Sequence, residues 1–220
     1  MTAAIGLLGG TFDPVHFAHL RLAVEALDQL RLGSVRWIPS GQPGHRDAPA
    51  AGMEHRLAML RLAIADEPRF ALDDADARSP VPTFTVNTLA RLRAELGAGV
   101  PLVLIIGADQ LLALDTWREW KRLFGLAHIA VAERPRFEIR SGALAGELAA
   151  EFARRSTEPA ALQRTPAGGI TSFRMTPLDI SASAIRAAMA AGRTPRYLLP
   201  DAVLDYIASH HLYLTEESSR

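Results

Sequence analysis

Short apolar runs alternate along this chain with segments in which apolar residues recur every three or four positions. The runs predict strands at residues 4–8, 35–39, 70–72, 102–106, 127–132 and 170–175. The periodic segments predict helices at about residues 20–30, 53–65, 85–96, 141–156, 181–189 and 201–210, with a further helix from residue 115. The run at 102–106 is purely Leu, Val and Ile, as in a central parallel strand buried on both faces. This alternation predicts an α/β fold with a doubly wound, mainly parallel sheet and helices on both faces.

Composition narrows the class of protein. The chain has 220 residues, of which 49% are hydrophobic, and shows no repeat or linker, so we expect one domain over 1–214 and a polar tail over 215–220. Lys and Arg together number 24, as do Asp and Glu, and this balance disfavours a nucleic-acid partner. Cysteine is absent, which excludes disulfides and cysteine catalysis. No apolar run is long enough for a membrane span or a signal peptide, and we expect a cytoplasmic protein.

The most informative stretch follows the first strand and runs from Gly9 to Leu20. His16 and His19 lie one turn apart where a helix begins, on one helix face. At the carboxyl end of a parallel strand, two imidazoles and a helix N-terminus suit a phosphate. The spacing alone is equally compatible with a turn that carries two ordinary histidines. The lysine of a Walker loop and the H-E-x-x-H zinc pattern are both missing.

Other candidates follow later strands. Asp109, just after the central strand, can meet a ribose hydroxyl or a metal, or can cap a helix. Arg134 follows the fifth strand, where it can clamp a carboxylate or phosphate or lie free on the surface. Trp117 and Trp120 are either core residues or, for one of them, a stacking surface for a planar ring. The pair His45–Arg46 lies in a long loop after the second strand.

A second phosphate site is suggested near the C-terminus. Ser181 is a natural N-cap for the helix that carries Ile185 and Met189 on its buried side. Arg186 lies near the positive end of that helix, where a cation gains nothing from the dipole, and a bound anion would remove the conflict. The plainer interpretation is an ordinary, well-capped helix.

Taken together, these motifs resemble the nucleotidylyltransferase superfamily. Residues 9–19, Gly-Gly-Thr-Phe-Asp-Pro-Val-His-x-x-His, are similar to its first signature, and residues 180–186, Ile-Ser-Ala-Ser-Ala-Ile-Arg, to its second. The intervening Pro-Gly-His-Arg at 43–46, Ile-Gly-Ala-Asp at 106–109, Thr-Trp at 116–117 and Arg-Pro at 134–135 resemble the bacterial nicotinate-mononucleotide adenylyltransferases. The resemblance covers nearly the whole chain. It implies a Rossmann-like fold and the joining of ATP to nicotinate mononucleotide with Mg²⁺ as cofactor, giving deamido-NAD and pyrophosphate.

The resemblance also implies roles for residues. It implies that the catalytic groups are His16, His19 and Arg186. The implied ATP-binding set is Gly9, Gly10, Thr11, Phe12, His16, His19, Ile106, Gly107, Asp109, Ser181, Ser183 and Arg186. His45 and Arg46 would close over the phosphates. The mononucleotide would contact Thr85, Trp117 and Arg134, with Trp117 stacked on the pyridine ring. The metal ligands stay open.

Three departures and two rival functions accompany this interpretation. Ala18 stands where the family pattern has glycine, Gly44 where a proline is common, and Ser183 where threonine is commoner; we expect none of them to abolish activity. One rival is a transferase of the same superfamily acting on nicotinamide mononucleotide, phosphopantetheine or a polyol phosphate. The other is a non-catalytic nucleotide-binding module, against which the intact His16, His19 and Arg186 argue.

Overall fold

A computed structural model describes residues 3–41, 48–133 and 144–214. The strands of the described chain are β1 (Ile5–Gly10), β2 (Ser34–Pro39), β3 (Phe70–Leu72), β4 (Leu102–Gly107), β5 (His128–Glu133) and β6 (Ile170–Arg174). The helices are α1 (Phe17–Gln29), α2 (Met53–Ile64), α3 (Thr85–Leu96), α4 (Ala108–Leu112), α5 (Trp120–Leu126), α6 (Gly146–Arg155), α7 (Ala182–Ala190) and α8 (Asp201–Ser209). Short 3₁₀ turns span Leu114–Thr116 and Pro159–Gln163.

The six strands form one sheet in the order β3-β2-β1-β4-β5-β6, and every pairing between them is parallel. The order reverses direction between β1 and β4, which lie side by side with Leu8 opposite Ile105. In such a sheet the crevice outside the carboxyl ends of those two strands is the usual ligand site. The predicted fold class is therefore confirmed.

The sheet separates two hydrophobic cores, and alternate side chains of the central strands face one core or the other. Leu8 and Ile105 face a core shared with α1, α2, α7 and α8, whereas Leu7, Leu104 and Ile106 face one shared with α3, α4, α5 and α6. Because successive side chains of a strand point to opposite faces, a strand buried on both faces must be apolar throughout. This explains the unbroken apolar run of β4.

Most predicted boundaries agree with the structure to within a few residues, but the helix expected from residue 115 begins later. Leu114–Thr116 form a 3₁₀ turn, Trp117 is extended, and Glu119 adopts a left-handed conformation with φ of 51°. Backbone in those regions cannot continue a helix, so α5 starts only at Trp120. Among the described residues, no helix is long and apolar enough to cross a membrane.

Candidate active site

The first signature occupies the turn between β1 and α1. Gly9 and Gly10 end β1, and a side chain on Gly9 would meet nothing closer than the Ile38 carbonyl at 4.0 Å. A side chain on Gly10 would approach the Phe12 ring to 2.8 Å, so any larger residue there would have to displace that buried ring. Phe12 itself has φ of 51° and is buried, so any contact that it makes with a ligand comes from its backbone.

The two signature histidines stack on one another at the start of α1. His16 is the N-cap residue, and its backbone N–H donates to His19 Nδ1 over 3.3 Å. This bond leaves the proton of a neutral His19 on Nε2. The two ring centroids are 3.7 Å apart, and the Phe12 ring packs edge-on against His19 at 5.1 Å. The imidazoles are thus held in fixed orientations.

Burial decides the charge of this pair. Burial lowers the pKa of His16 to about 4, and burial together with the neighbouring His16 lowers the pKa of His19 to about 3. Both rings are therefore neutral near pH 7 in the free protein. His16 Nδ1 is buried and has no hydrogen-bond partner among the described residues. A buried polar atom without a partner costs stability, and a catalytic or ligand-binding role is one of the reasons that proteins retain such an atom.

Ala18 causes no strain at this turn. It is the second residue of α1 and lies in regular helical backbone, outside the positive-φ positions. Its methyl group is buried in the core that the sheet shares with α1, α2, α7 and α8. Glycine can adopt a positive φ, but the helical backbone at this position is one that alanine adopts equally well. The structure therefore gives no reason to expect Ala18 to displace His19.

The second signature reaches the first through Arg186. Ser181 caps α7, and its Oγ accepts a hydrogen bond from the Ala184 N–H at 3.2 Å, as predicted. Ser183 is exposed near the same helix end. Arg186 Nη1 donates to the backbone carbonyl of Asp13 at 2.6 Å and lies 3.7 Å from its carboxylate. The structure thus joins motifs that lie 173 positions apart in the sequence.

Asp13 and Arg56 are two site residues to which the sequence analysis assigned no role. The Asp13 carboxylate accepts hydrogen bonds from the Ala50 N–H at 2.7 Å, the Ala51 N–H at 3.1 Å and the Tyr213 hydroxyl at 2.6 Å. Buried Arg56 donates from Nη1 to the carbonyls of Thr11 and Ser40. These two hydrogen bonds connect the segment that follows β1 with the segment that follows β2. Asp13 belongs to the first signature, but only the tertiary contacts reveal its partners and those of Arg56.

Gly107 and Asp109 lie beside this turn, at the end of β4. Gly107, not Asp109, is the N-cap of α4, and its N–H donates to Gln110 Oε1 at 2.9 Å. A side chain on Gly107 would come within 2.7 Å of the Asp109 carboxylate, which is itself exposed. The Ile106 side chain is buried, so it offers only backbone to a ligand. This part of the site therefore offers backbone groups at the end of β4 and the exposed carboxylate of Asp109.

Two of the three candidate residues for the acceptor, Thr85 and Trp117, lie on the face covered by α3 and α5. Thr85 is the first residue of α3, and Trp117 is half-buried and packs against the core of that face. The neighbouring Arg118 lies over the Phe84 ring at 4.8 Å. Arg134 and the pair His45–Arg46 lie outside the described residues. Among those that are described, no group of three or more His, Cys, Asp or Glu could hold a metal ion.

The sheet is parallel and doubly wound, and at its switch point lie two histidines at a helix N-terminus and an arginine bonded to the same turn. These are the features of a nucleotide-binding protein. The chain belongs to the cytidylyltransferase-like family, whose model matches residues 7–188, and within it to the nicotinate-nucleotide adenylyltransferases. It is 52% identical to a Dechloromonas aromatica protein named probable nicotinate-nucleotide adenylyltransferase, over 97% of this chain and 99% of that one. A Laribacter hongkongensis protein of the same name is 49% identical over 97% and 96% of the two chains.

The fold also matches solved structures. Plasmodium falciparum nicotinic acid mononucleotide adenylyltransferase complexed with NaAD superposes with a TM-score of 0.71. The match covers 96% of this chain and 97% of that one at 19% sequence identity. The same enzyme complexed with APC gives a TM-score of 0.70. At this identity the likeness supports the fold alone.

Proposed function

We propose that this protein transfers the adenylyl group of ATP to nicotinate mononucleotide, giving nicotinate adenine dinucleotide and pyrophosphate in NAD biosynthesis. The observation that carries the proposal is the junction of the two signatures. Arg186 of the second signature bonds the carbonyl of Asp13 at 2.6 Å, and Asp13 belongs to the same turn after β1 that carries His16 and His19. The names of the relatives at 52% and 49% identity support the choice of acceptor. Consumption of ATP and a nucleotide also suits a cytoplasmic location.

The phosphates of ATP occupy the space above Gly9 in this proposal. His16 and His19 donate hydrogen bonds to phosphate oxygens, with the donor of His19 on Nε2. Ser183 and Arg186 hold the β- and γ-phosphates at the start of α7, which the Ser181 cap supports. Backbone groups of the turn after β1 complete the cradle, namely those of Gly9, Gly10, Thr11 and Phe12.

The adenosine lies along the end of β4, and the acceptor lies against the start of α3 and the segment before α5. Ile106 and Gly107 offer backbone, and Asp109 offers a carboxylate for a ribose hydroxyl. Thr85, Trp117 and Arg134 receive the mononucleotide, with the Trp117 indole stacked on the pyridine ring. The resemblance to the family supports a role for His45 and Arg46 in binding the phosphates.

The reaction requires no general base. A phosphate oxygen of nicotinate mononucleotide, already an anion, attacks the α-phosphorus of ATP, and the bond from that phosphorus to the bridging oxygen breaks. Pyrophosphate leaves with the electron pair of that bond. The protein supplies alignment and stabilisation of the charge that develops on the oxygens. Neutral, preoriented imidazoles and one arginine are adequate for this task.

We propose Mg²⁺ as the divalent cation that accompanies ATP, where it neutralises charge on the phosphates. The buried carboxylate of Asp13 already accepts three hydrogen bonds from protein groups, so it is not open to a cation. The exposed Asp109 remains as a carboxylate beside the site. Mg²⁺ keeps several waters and is commonly bound by one or two carboxylates plus substrate phosphates, and this pattern fits a site without a cluster of protein ligands.

The test is pyrophosphate release with ATP and Mg²⁺, measured in parallel with nicotinate mononucleotide and nicotinamide mononucleotide. A large preference for the nicotinate form is expected. Equal or reversed preference would overturn the roles of Trp117 and Arg134 while retaining the family. Release with phosphopantetheine or a polyol phosphate alone would replace the acceptor. Tight ATP binding without transfer to any acceptor would identify a binding module instead.

A further inference from the structure

The side chain of Tyr213, near the C-terminal end of the described chain, contacts Asp13 of the first signature. Its hydroxyl donates to Asp13 Oδ1 at 2.6 Å, across 200 positions of sequence. Burial and the hydrogen bond to Asp13 raise the pKa of this phenol, so the hydroxyl remains a donor at any working pH. A hydrogen bond from a neutral hydroxyl to a carboxylate is among the stronger ones in proteins.

The backbone that delivers Tyr213 is unusual. After α8 ends, His211 has φ of 51° and Tyr213 has φ of 62°, both in the left-handed region that non-glycine residues rarely adopt. Such conformations persist only where the surrounding structure over-determines them, and they are frequent at functional sites. The Leu212 N–H bonds the Ile207 carbonyl at 3.1 Å, which turns the chain back toward the site.

Asp13 faces competing partners. Its carbonyl accepts from Arg186 Nη1 at 2.6 Å, while its Oδ2 lies 3.7 Å from the same nitrogen and accepts from the Ala50 N–H. Oδ1 is held by the Tyr213 hydroxyl and, over 3.1 Å, by the Ala51 N–H. If the phenol were removed, the weaker contact to Ala51 would be the one left to that oxygen among the described residues. The carboxylate would keep its bonds to the Ala50 and Ala51 N–H groups but lose the third hydrogen bond that holds it, so the attraction of the Arg186 guanidinium would meet less resistance.

We propose that Tyr213 is a positioning residue for adenylyl transfer. Its hydroxyl fixes the Asp13 carboxylate so that Arg186 keeps its bond to the Asp13 carbonyl and presents its remaining N–H groups to the phosphates of ATP. The inference rests on the proposed function in one respect, that ATP is the ligand of this site. It makes no use of the identity of the acceptor.

The test compares Tyr213→Phe with the matched control Tyr206→Phe. The Tyr206 hydroxyl, on α8, contacts His55 Nδ1 at 3.0 Å and has no role in the proposed site. For each variant we would measure kcat, KM for both substrates, the affinity for a non-hydrolysable ATP analogue, and the melting temperature. Tyr213→Phe is expected to lower kcat/KM for ATP and analogue affinity by about 10-fold, as for loss of a charged hydrogen bond. KM for nicotinate mononucleotide and the values of Tyr206→Phe should stay near wild type.

A double-mutant cycle shows whether Tyr213 acts through Asp13. In an Asp13→Asn background the charge that competes for Arg186 is gone, so adding Tyr213→Phe should change kcat/KM for ATP far less than it does in the wild-type background. Equal effects in both backgrounds would overturn the proposal. The proposal would also be overturned if Tyr213→Phe had the same analogue affinity and kcat/KM for ATP as Tyr206→Phe. It would likewise be overturned if the KM values for both substrates rose together while the melting temperature fell, since this would indicate general destabilisation.

The two proposals fail separately. Wild-type protein that binds the analogue but transfers nothing to nicotinate mononucleotide would refute the proposed function, and a selective loss of analogue affinity in Tyr213→Phe would still support the role of Tyr213. Normal wild-type turnover with an unaltered Tyr213→Phe variant would refute the role of Tyr213 and leave the function in place.

Discussion

Two buried histidines at opposite ends of the sheet show how differently the same side chain is used. His128, 1% exposed, begins β5 at the amino end, where Nε2 lies 2.7 Å from the Thr165 carbonyl and Nδ1 accepts from the Gly169 N–H at 2.9 Å. His16, 4% exposed, lies at the carboxyl end with Nδ1 unpartnered among the described residues. A satisfied imidazole stabilises the fold, whereas an unsatisfied one costs stability and is available to a ligand. We therefore expect activity to depend on the carboxyl end and stability on the amino end.

The largest effect expected is on catalysis at the carboxyl end. His16→Gln should lower kcat by about 100-fold or more, as for removal of one preorganised donor to the transition state. The free energy of unfolding should change little, because the ring that is replaced makes no hydrogen bond through Nδ1 to the described residues and the new side chain is also polar. Steady-state pyrophosphate release and urea unfolding measure the two quantities. A variant that lost stability but kept its kcat would reverse the comparison.

At the amino end we expect the opposite result. His128→Ala would leave the Thr165 carbonyl and the Gly169 N–H without their partner, lowering the free energy of unfolding by about 2–4 kcal/mol. Activity per folded molecule should not change, since His128 lies at the far end of the sheet from the site. Urea unfolding and active-site titration test this, with half-buried His55→Ala as a control that should cost much less. Loss of kcat in the folded His128→Ala protein would contradict the division between the ends.

Arg186→Lys tests whether the site at the carboxyl end of the sheet requires the guanidinium group or only a positive charge. A lysine ammonium cannot reproduce the planar fork that reaches both the Asp13 carbonyl and a phosphate. We expect kcat/KM for ATP to fall by about 10-fold in Arg186→Lys and by more than that in Arg186→Ala. KM for nicotinate mononucleotide serves as the internal control. Full activity of the lysine variant would show that charge alone suffices.

Stability should decline on mild acidification because of the carboxyl-end histidines. The pKa of His16 is about 4 in the folded protein and 6.5 without burial. Between those values the unfolded chain binds a proton that the folded chain does not, so stability present above pH 6.5 is lost as the pH falls toward 4. Melting temperatures from pH 7 to pH 5 should therefore fall, less steeply in His16→Gln than in wild type. Identical slopes would refute the assignment.

The smallest effect concerns Ala18, which lies at the carboxyl end but belongs to the core. Ala18→Gly restores the residue of the family pattern, yet the helical backbone there does not need glycine. We expect a loss of about 0.5–1 kcal/mol in the free energy of unfolding, from added freedom of the unfolded chain, and no gain in kcat. Thermal unfolding and kcat measure both. A clear rise in kcat would mean that the Ala18 methyl displaces His19 after all.

Much of the fold was predictable from local pattern. The six strands follow from apolar runs, and the N-cap at Ser181 follows from a residue type that this backbone position favours. The start of α5 was not predictable, because the left-handed Glu119 leaves no mark in the residue pattern.

The sequence by itself determined the order of elements, the two signatures and the family to which they point, because these depend on neighbours along the chain. The tertiary structure alone decided that Arg186 and Tyr213 converge on Asp13 across 173 and 200 positions. It also decided that His19 carries its proton on Nε2, and that His16 is buried without a partner while His128 is buried with two. Burial and hydrogen-bond satisfaction depend on which distant segments pack around a side chain, and no local pattern encodes that.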